Sequence, residues 1–202
     1  TASKTWARRG SPSASPAMAR FRPRRGLGHR LRGGAVGQAG ADGPLIPREV
    51  LFGNPEYAAP ALSPDGQLLA YLRPNAQNVL NVWVRTVGGA DDRLVTADAS
   101  RGIRQFFWAE DSATLLYMQD DKGDENFHLF AIDATSDGAT ARDLTPFPGA
   151  KAQNVITNKR FPSELLVAVN NRDASKFDMY RCEIATGALT LDTENPGDVV
   201  GF

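Results

Sequence analysis

The chain has 202 residues, 42% of them apolar and 23% charged, which is the composition of an ordinary globular protein of one or two domains. Its 23 basic and 23 acidic side chains cancel, which excludes a strongly basic nucleic-acid binder and a polyacidic solvating chain. The single cysteine, Cys182, excludes an intrachain disulfide and a cysteine-based zinc site. No apolar run approaches the ~18 residues of a membrane-spanning helix. We therefore expect neither nucleic acid nor a membrane as a partner.

The charges are unevenly distributed along the chain. Residues 1–41 carry nine basic side chains and no acid, whereas the other 14 basic and 23 acidic residues leave a charge of −9 on residues 42–202. Because residues 1–43 are rich in Arg, Ser, Gly and Pro and poor in large apolar residues, we predict a disordered leader there. Such a leader is typical of a transit peptide for the mitochondrion or chloroplast. Two alternatives are a leader without function, of which residues 1–17 are untranslated if Met18 is the initiator, and an anion-binding arm. Without a targeting leader the protein would be cytoplasmic.

The remaining chain contains an internal repeat. Short apolar runs and polar–aliphatic–aromatic triplets both recur with spacings of 47 and 50 residues. The runs begin at Leu68, Leu115 and Leu165, and the triplets begin at Asn81, His128 and Asp178. Two independent patterns with the same two spacings indicate repeated structural units rather than chance.

Each unit is predicted to contain four strands. The first unit has strands near 58–62, 67–73, 78–86 and 93–96, and Ser63-Pro64-Asp65-Gly66 forms its first turn. The second has strands near 103–108, 114–119, 126–133 and 142–145, and the third near 153–157, 164–170, 177–184 and 188–191. The units therefore span about 55–97, 102–146 and 152–192, and a further unit begins at Asp198.

The inner strands are nearly continuous apolar runs, as expected of strands that are covered on both faces. Four-stranded sheets that repeat every 40–50 residues or so are typical of β-propeller blades. We therefore predict an all-β fold over residues 44–202: an incomplete β-propeller of four-stranded antiparallel blades, with about three blades and the start of a fourth. No helical period of useful length is present.

Catalytic motifs are absent from the sequence. A serine hydrolase of the α/β type needs Gly-x-Ser-x-Gly, which does not occur, and Ser63, Ser112 and Ser163 all fall in predicted turns. His29 lies in the leader, and His128 occupies a repeat position without a nucleophile or acid spaced to serve it. We therefore predict a hydrogen-bonded strand histidine at 128, no catalytic residue, no metal ligand and no cofactor.

The most acidic segment is Asp120–Asn126. Its spacing does not fit a calcium loop, because Lys122 stands at the third ligand position. We predict a solvated hairpin tip, with a cation site or the acidic lining of a substrate channel as alternatives.

Several motifs occur together and in order: Ser63-Pro64-Asp65-Gly66, Asn81-Val82-Trp83, Gly123-Asp124-Glu125-Asn126 and Asp143-Leu144-Thr145-Pro146. This set resembles the N-terminal propeller of serine peptidases of the prolyl oligopeptidase family, on the acylaminoacyl-peptidase and dipeptidyl-aminopeptidase side. The resemblance covers residues 44–202. It implies a parent peptidase whose catalytic α/β-hydrolase domain follows downstream and is absent here, with the propeller restricting entry to short peptides.

The resemblance transfers no catalytic residue, since none of the family's triad motifs maps onto this chain. Some relatives hold a substrate amine with acidic propeller residues, a role open to Asp124 or Glu125. The partners implied are peptide substrates and the downstream hydrolase domain. A different class of function, a non-catalytic propeller that serves as a protein-interaction scaffold, would explain the repeat equally well.

Overall fold

The computed structural model describes residues 45–197 and 199. The predicted leader, 1–43, and the predicted strand that begins at Asp198 lie outside the described residues. A short helix, α1 (Arg48–Phe52), precedes the first strand and was not predicted. Pro47, with φ −55°, comes immediately before the helix, and Gly53 closes it by donating its N–H to the carbonyl of Glu49. Five residues are too few to produce a helical pattern in a sequence.

The rest of the described chain forms three four-stranded antiparallel sheets, each in sequential order. Blade 1 contains β1 (Ala58–Leu62), β2 (Leu68–Pro74), β3 (Leu80–Thr86) and β4 (Arg93–Leu94). Blade 2 contains β5 (Gln105–Trp108), β6 (Thr114–Gln119), β7 (His128–Asp133) and β8 (Arg142–Asp143). Blade 3 contains β9 (Ala152–Thr157), β10 (Glu164–Asp173), β11 (Lys176–Glu183) and β12 (Leu189–Thr193). The predicted all-β fold class is confirmed.

The fourth strands of blades 1 and 2 are shorter than predicted, with two residues each. A threonine hydroxyl replaces the next backbone acceptor in both blades. The Val82 N–H donates to Thr96 Oγ1 and the Leu129 N–H to Thr145 Oγ1, both at 2.9 Å. The threonine hydroxyl thus accepts the N–H that a backbone carbonyl of a longer fourth strand would accept, and the strand ends earlier.

The core lies between blades, because alternate residues of the central strands face opposite neighbours. Ala70, Leu72, Val82 and Val84 of blade 1 pack against Leu115, Tyr117 and Ile132 of blade 2. Leu116, Leu129 and Ala131 of blade 2 pack against Leu165, Val167 and Cys182 of blade 3. Coverage on both faces explains why the sequence shows continuous apolar runs instead of alternation.

Polar contacts also join the blades, and these were not predicted. Trp108 Nε1 donates to the carbonyl of Ala61 in blade 1 at 3.0 Å. Arginines at equivalent positions reach the neighbouring blade: Arg93 donates to the Ala134 carbonyl and Arg142 to the Ala185 carbonyl. Each arginine begins the fourth strand of its blade, so the repeat carries this connection from one pair of blades to the next.

Candidate functional site

One face of the sheets gathers the turns between second and third strands and the connections between blades. In a meander of antiparallel strands, these segments all leave from the same end. A cleft of about 580 Å³ opens on this face, and we name it the acidic cleft. Its charged lining residues are Asp98, Asp120, Asp121, Asp124 and Asp143, together with Lys122, and His128 also lines it. The segment that the sequence singled out as most acidic thus lines a concave surface.

Asp120 does not belong to a solvated hairpin tip, and that part of the prediction was wrong. It follows β6 directly, and only 5% of its side chain is exposed. Its carboxylate lies 3.6 Å from Arg101 Nη2 and accepts the Glu125 N–H at 3.3 Å. The Arg101 guanidinium lies so close to Gly123 that a Cβ there would be 2.8 Å from Nη1. Arg101, from the connection between blades, therefore anchors the base of the loop.

Asp124 presents a carboxylate to the acidic cleft, whereas Glu125 is exposed and does not line it. The side chain of Asp124 accepts the backbone N–H and the Nδ2 of Asn126, both at 3.1 Å. The backbone hydrogen bond from Asn126 holds the pKa of Asp124 below its usual value. Of the two acids considered for a substrate amine, Asp124 is therefore the one that an amine inside the cleft would meet in its ionised form.

His128 lies in β7, as predicted, and its Nδ1 is 2.7 Å from a carboxylate oxygen of Asp143. The expectation that no acid serves this histidine was wrong, because strand pairing brings β8 beside β7. Among the described residues no serine or cysteine side chain hydrogen-bonds the imidazole. Two of the serines that were considered in the sequence analysis hydrogen-bond in turns instead: Ser63 Oγ donates to Asp65, and Ser112 Oγ accepts the Asp65 N–H. These turns lie at the opposite ends of the strands, so a catalytic triad does not form here.

Two of the three triplet residues share one structural role: Asn81 and Asp178 each tie the start of the third strand to the segment that follows the fourth. Asn81 is fully buried and exchanges hydrogen bonds with the backbone N–H and carbonyl of Asp98, at 2.8 and 2.9 Å. Asp178, equally buried, accepts the Asn195 N–H at 2.7 Å. Two hydrogen bonds from Arg172, both 2.8 Å, lower the pKa of Asp178. In blade 2, by contrast, His128 contacts Asp143 within the fourth strand itself.

Within residues 45–197 and 199, no cluster of three or more His, Cys, Asp or Glu side chains is arranged to hold a metal ion. The same part of the chain contains no helix long and apolar enough to cross a membrane. The lone thiol, Cys182, is buried between blades 2 and 3, and burial raises its pKa to about 11.

These features define a class of protein: a β-propeller segment with a carboxylate-lined cleft on one face. No protein-family model matches the chain. It is 42% identical, over 159 residues, to "Dipeptidyl aminopeptidase BIII" of Pseudoxanthomonas mexicana. It is 29% identical, over 156 residues, to "Dipeptidyl peptidase family member 6" of Caenorhabditis elegans. The matches cover 78% and 75% of this chain but only 23% and 21% of those proteins.

Among solved structures, the β-propeller domain of the Trilobed protease from Pyrococcus furiosus matches 69% of this chain. The match covers 44% of that chain, with a TM-score of 0.50 and 22% identity, which establishes the likeness of fold. The resemblance that the motifs carry is therefore confirmed: the chain is similar in sequence to part of two dipeptidyl peptidases and in fold to the propeller of a protease.

Proposed function

We propose that this propeller segment gates the active site of a serine-type peptidase that hydrolyses short peptides. The catalytic α/β-hydrolase domain is supplied downstream in the same polypeptide. The observation that carries the proposal is the 42% identity, over 159 residues, to a dipeptidyl aminopeptidase. The scaffold alternative has no comparable support, because no observation in the described residues favours it.

The segment contributes selection rather than chemistry. A ring of blades in front of an active site excludes folded proteins by size, and a carboxylate-lined cleft attracts the positively charged amino end of a peptide. Asp124 is ionised and exposed in the cleft, so it is the residue that we assign to this attraction. The general base, the nucleophile and the oxyanion donors belong to the hydrolase domain, and no described residue takes those roles.

A direct experiment labels the full-length product that contains this chain with a fluorophosphonate probe. We expect one serine to be labelled, and we expect dipeptidyl chromogenic substrates to be hydrolysed while folded proteins are left intact. An absence of both labelling and peptide hydrolysis would falsify the peptidase proposal. Equal cleavage of folded and short substrates would remove the gating role alone.

The contribution of the acidic cleft is tested by Asp124→Asn in the same product. We expect KM to rise several-fold for peptides with a free amino terminus and to stay unchanged for N-acetylated peptides, with kcat preserved. Asp137→Asn is the matched control, because Asp137 is exposed in the β7–β8 turn on the opposite face. An equal rise in KM for both variants would contradict the assignment.

The leader is proposed to be a transit peptide for the mitochondrion or chloroplast. Its nine basic residues without an acid support this proposal. Fusion of residues 18–45 to a fluorescent protein should direct the reporter to one of these organelles. A diffuse cytosolic signal would contradict the targeting role.

A further inference from the structure

A second cleft, of about 600 Å³, lies between the first strands of blades 2 and 3. We name it the basic cleft, because Arg104 and Lys151 line it and no acid does. Each cation stands immediately before the first strand of its blade, Arg104 before β5 and Lys151 before β9.

Neither cation forms an ion pair with a described carboxylate. Lys151 Nζ lies 5.6 Å from the centre of the Phe127 ring, which is a cation–π contact, and it donates no hydrogen bond to any residue that the structure describes. By contrast, Arg93, Arg101 and Arg181 each lie within 4 Å of an acid. Acids outnumber bases in this part of the chain, so two cations that share a cleft without an acid form a local positive field.

Three amide side chains line the same cleft: Gln105, Gln153 and Asn154. None of them is hydrogen-bonded to another described residue. Asn154 has φ +49° within β9, and the pairing of β9 with β10 shifts register there, which marks a β-bulge. Bulges re-aim side chains beside binding sites, and a side-chain amide offers both N–H donors and a carbonyl acceptor, which complement the carbonyl and the N–H of a peptide group.

The remaining lining is apolar and includes Phe107, Met118, Phe127 and Val155. An inorganic anion would gain nothing from this surface, whereas the last side chain of a peptide would. The cations match a carboxylate, the amides match a peptide group, and the apolar wall matches a side chain. Met118 and Phe127 immediately precede Gln119 and His128 of the acidic cleft, so the two oppositely charged clefts open on either side of one loop.

We propose that the basic cleft binds the carboxyl end of short peptides, with Arg104 and Lys151 holding the terminal carboxylate. This rests on the proposed peptide-gating function and adds a second point of recognition to it. An amino end attracted to one cleft and a carboxyl end held in the other would favour short, free peptides. Internal segments of a protein carry neither terminal charge.

Binding is tested without hydrolysis on the isotopically labelled 202-residue chain, by NMR titration with N-acetyl-Ala-Phe and with its C-terminal amide. The acetyl group removes the amine, so the acidic cleft does not contribute. We expect the free acid to bind about tenfold more tightly than the amide, since the amide has no negative charge for the two cations to attract. The preference should decrease with added salt. Equal affinities for acid and amide would overturn the proposal.

Variants locate the effect. Arg104→Gln and Lys151→Gln should each abolish the preference for the acid, while Arg104→Lys and Lys151→Arg should retain most of it. Lys159→Gln and Arg160→Gln are the matched controls, because both residues are exposed in the turn after β9 and form no ion pair with a described residue. A preference that survives both glutamine variants would place the carboxylate elsewhere and refute the assignment.

Inorganic phosphate distinguishes a peptide site from a general anion site. We expect millimolar phosphate to compete poorly with N-acetyl-Ala-Phe, and full displacement at equal concentration would overturn the peptide assignment. The outcome is independent of fluorophosphonate labelling in the full-length product. A labelled serine without carboxylate preference refutes this inference alone, and carboxylate preference without either serine labelling or peptide hydrolysis refutes the peptidase proposal alone.

Discussion

The hydrogen bonds of Asn81 provide a sharp test of how the blades are closed. Its Nδ2 donates to the carbonyls of Val79 and Asp98, at 3.2 and 2.9 Å, and its Oδ1 accepts from Thr96 Oγ1 and the Asp98 N–H. Asn81→Asp preserves the shape but turns a carboxylate oxygen toward two carbonyls. Two bonds of about 0.5–1.5 kcal/mol each are lost, and an unpaired buried charge adds about 3 kcal/mol.

We therefore expect Asn81→Asp to lower the free energy of unfolding by about 5 kcal/mol at neutral pH. The introduced carboxyl group would have a pKa above its unfolded value, since burial and the facing carbonyls disfavour its charge. Because the unfolded state then ionises first, the penalty grows as pH rises above about 4 and shrinks as pH falls toward that value. This pH dependence separates a buried charge from a simple packing defect.

Blade 3 indicates how the penalty can be relieved. There an aspartate, Asp178, occupies the position of Asn81, and Arg172 stands six residues earlier, where blade 1 has Asn75. Asn75 already contacts the Asp98 carbonyl at 3.3 Å, as Arg172 contacts that of Asn195. Asn75→Arg should therefore recover about 2 kcal/mol of the loss caused by Asn81→Asp, measured as a double-mutant coupling.

The assay is equilibrium urea unfolding followed by tryptophan fluorescence, at pH 7.5 and pH 4.5, for the wild type, both single variants and the double variant. Asn75→Arg alone should be mildly destabilising, because Asn75 Oδ1 also accepts two backbone N–H groups of its turn, both at 3.0 Å. The reasoning would be refuted if Asn81→Asp were as stable as the wild type at pH 7.5, or if the effects of the two substitutions were strictly additive in the double variant.

Three further predictions concern buried groups. Trp108→Phe removes the bond to the Ala61 carbonyl between blades 1 and 2 and should cost about 1 kcal/mol, measured by urea unfolding. Burial raises the pKa of Cys182 to about 11, so alkylation at pH 8 should be slow in the native protein and fast in urea; rapid native labelling would contradict its position. The pKa of Asp178 is lowered mainly by Arg172, so the ionised carboxylate stabilises the folded state above about pH 4, and this contribution is lost as the pH falls through the lowered pKa. The melting temperature of Asp178→Asn should therefore depend less on pH in the acid range than that of the wild type.

The fold was predictable because the repeat appears twice in the sequence, in the apolar runs and in the polar triplets. Tight turns added fixed points: Ser63 and Asp65 hold their turn with hydrogen bonds to each other and to the N–H groups of Leu68 and Gln67. No strand end differs from its predicted position by more than three residues. The early ends of β4 and β8 were not predictable from periodicity, because there a threonine hydroxyl accepts the N–H of the third strand in place of a backbone carbonyl.

The candidate site was less predictable because it depends on residues that are distant in sequence. Asp143 reaches His128 across 15 residues through the pairing of β7 with β8, and Arg101 reaches Asp120 from the connection between blades. The acidic segment showed that carboxylates cluster at 120–126, but it did not show which of them would be buried. The burial of Asp120 depends on its contact with Arg101, and no sequence pattern near Arg101 indicates this contact.

The outward face of blade 1 marks where reasoning from repeats stops. Strand pairing places Arg85 opposite Leu69, Ile132 opposite Leu115, and Cys182 opposite Leu165, so these three residues occupy one repeat position. Ile132 and Cys182 are buried against the preceding blade. Arg85 faces no preceding blade within the described residues, and its Nε is buried there without a hydrogen-bond partner. The repeat determines toward which side a residue points, but the neighbouring blade determines which residue type that side accepts. A position that is apolar in two blades therefore does not predict the third.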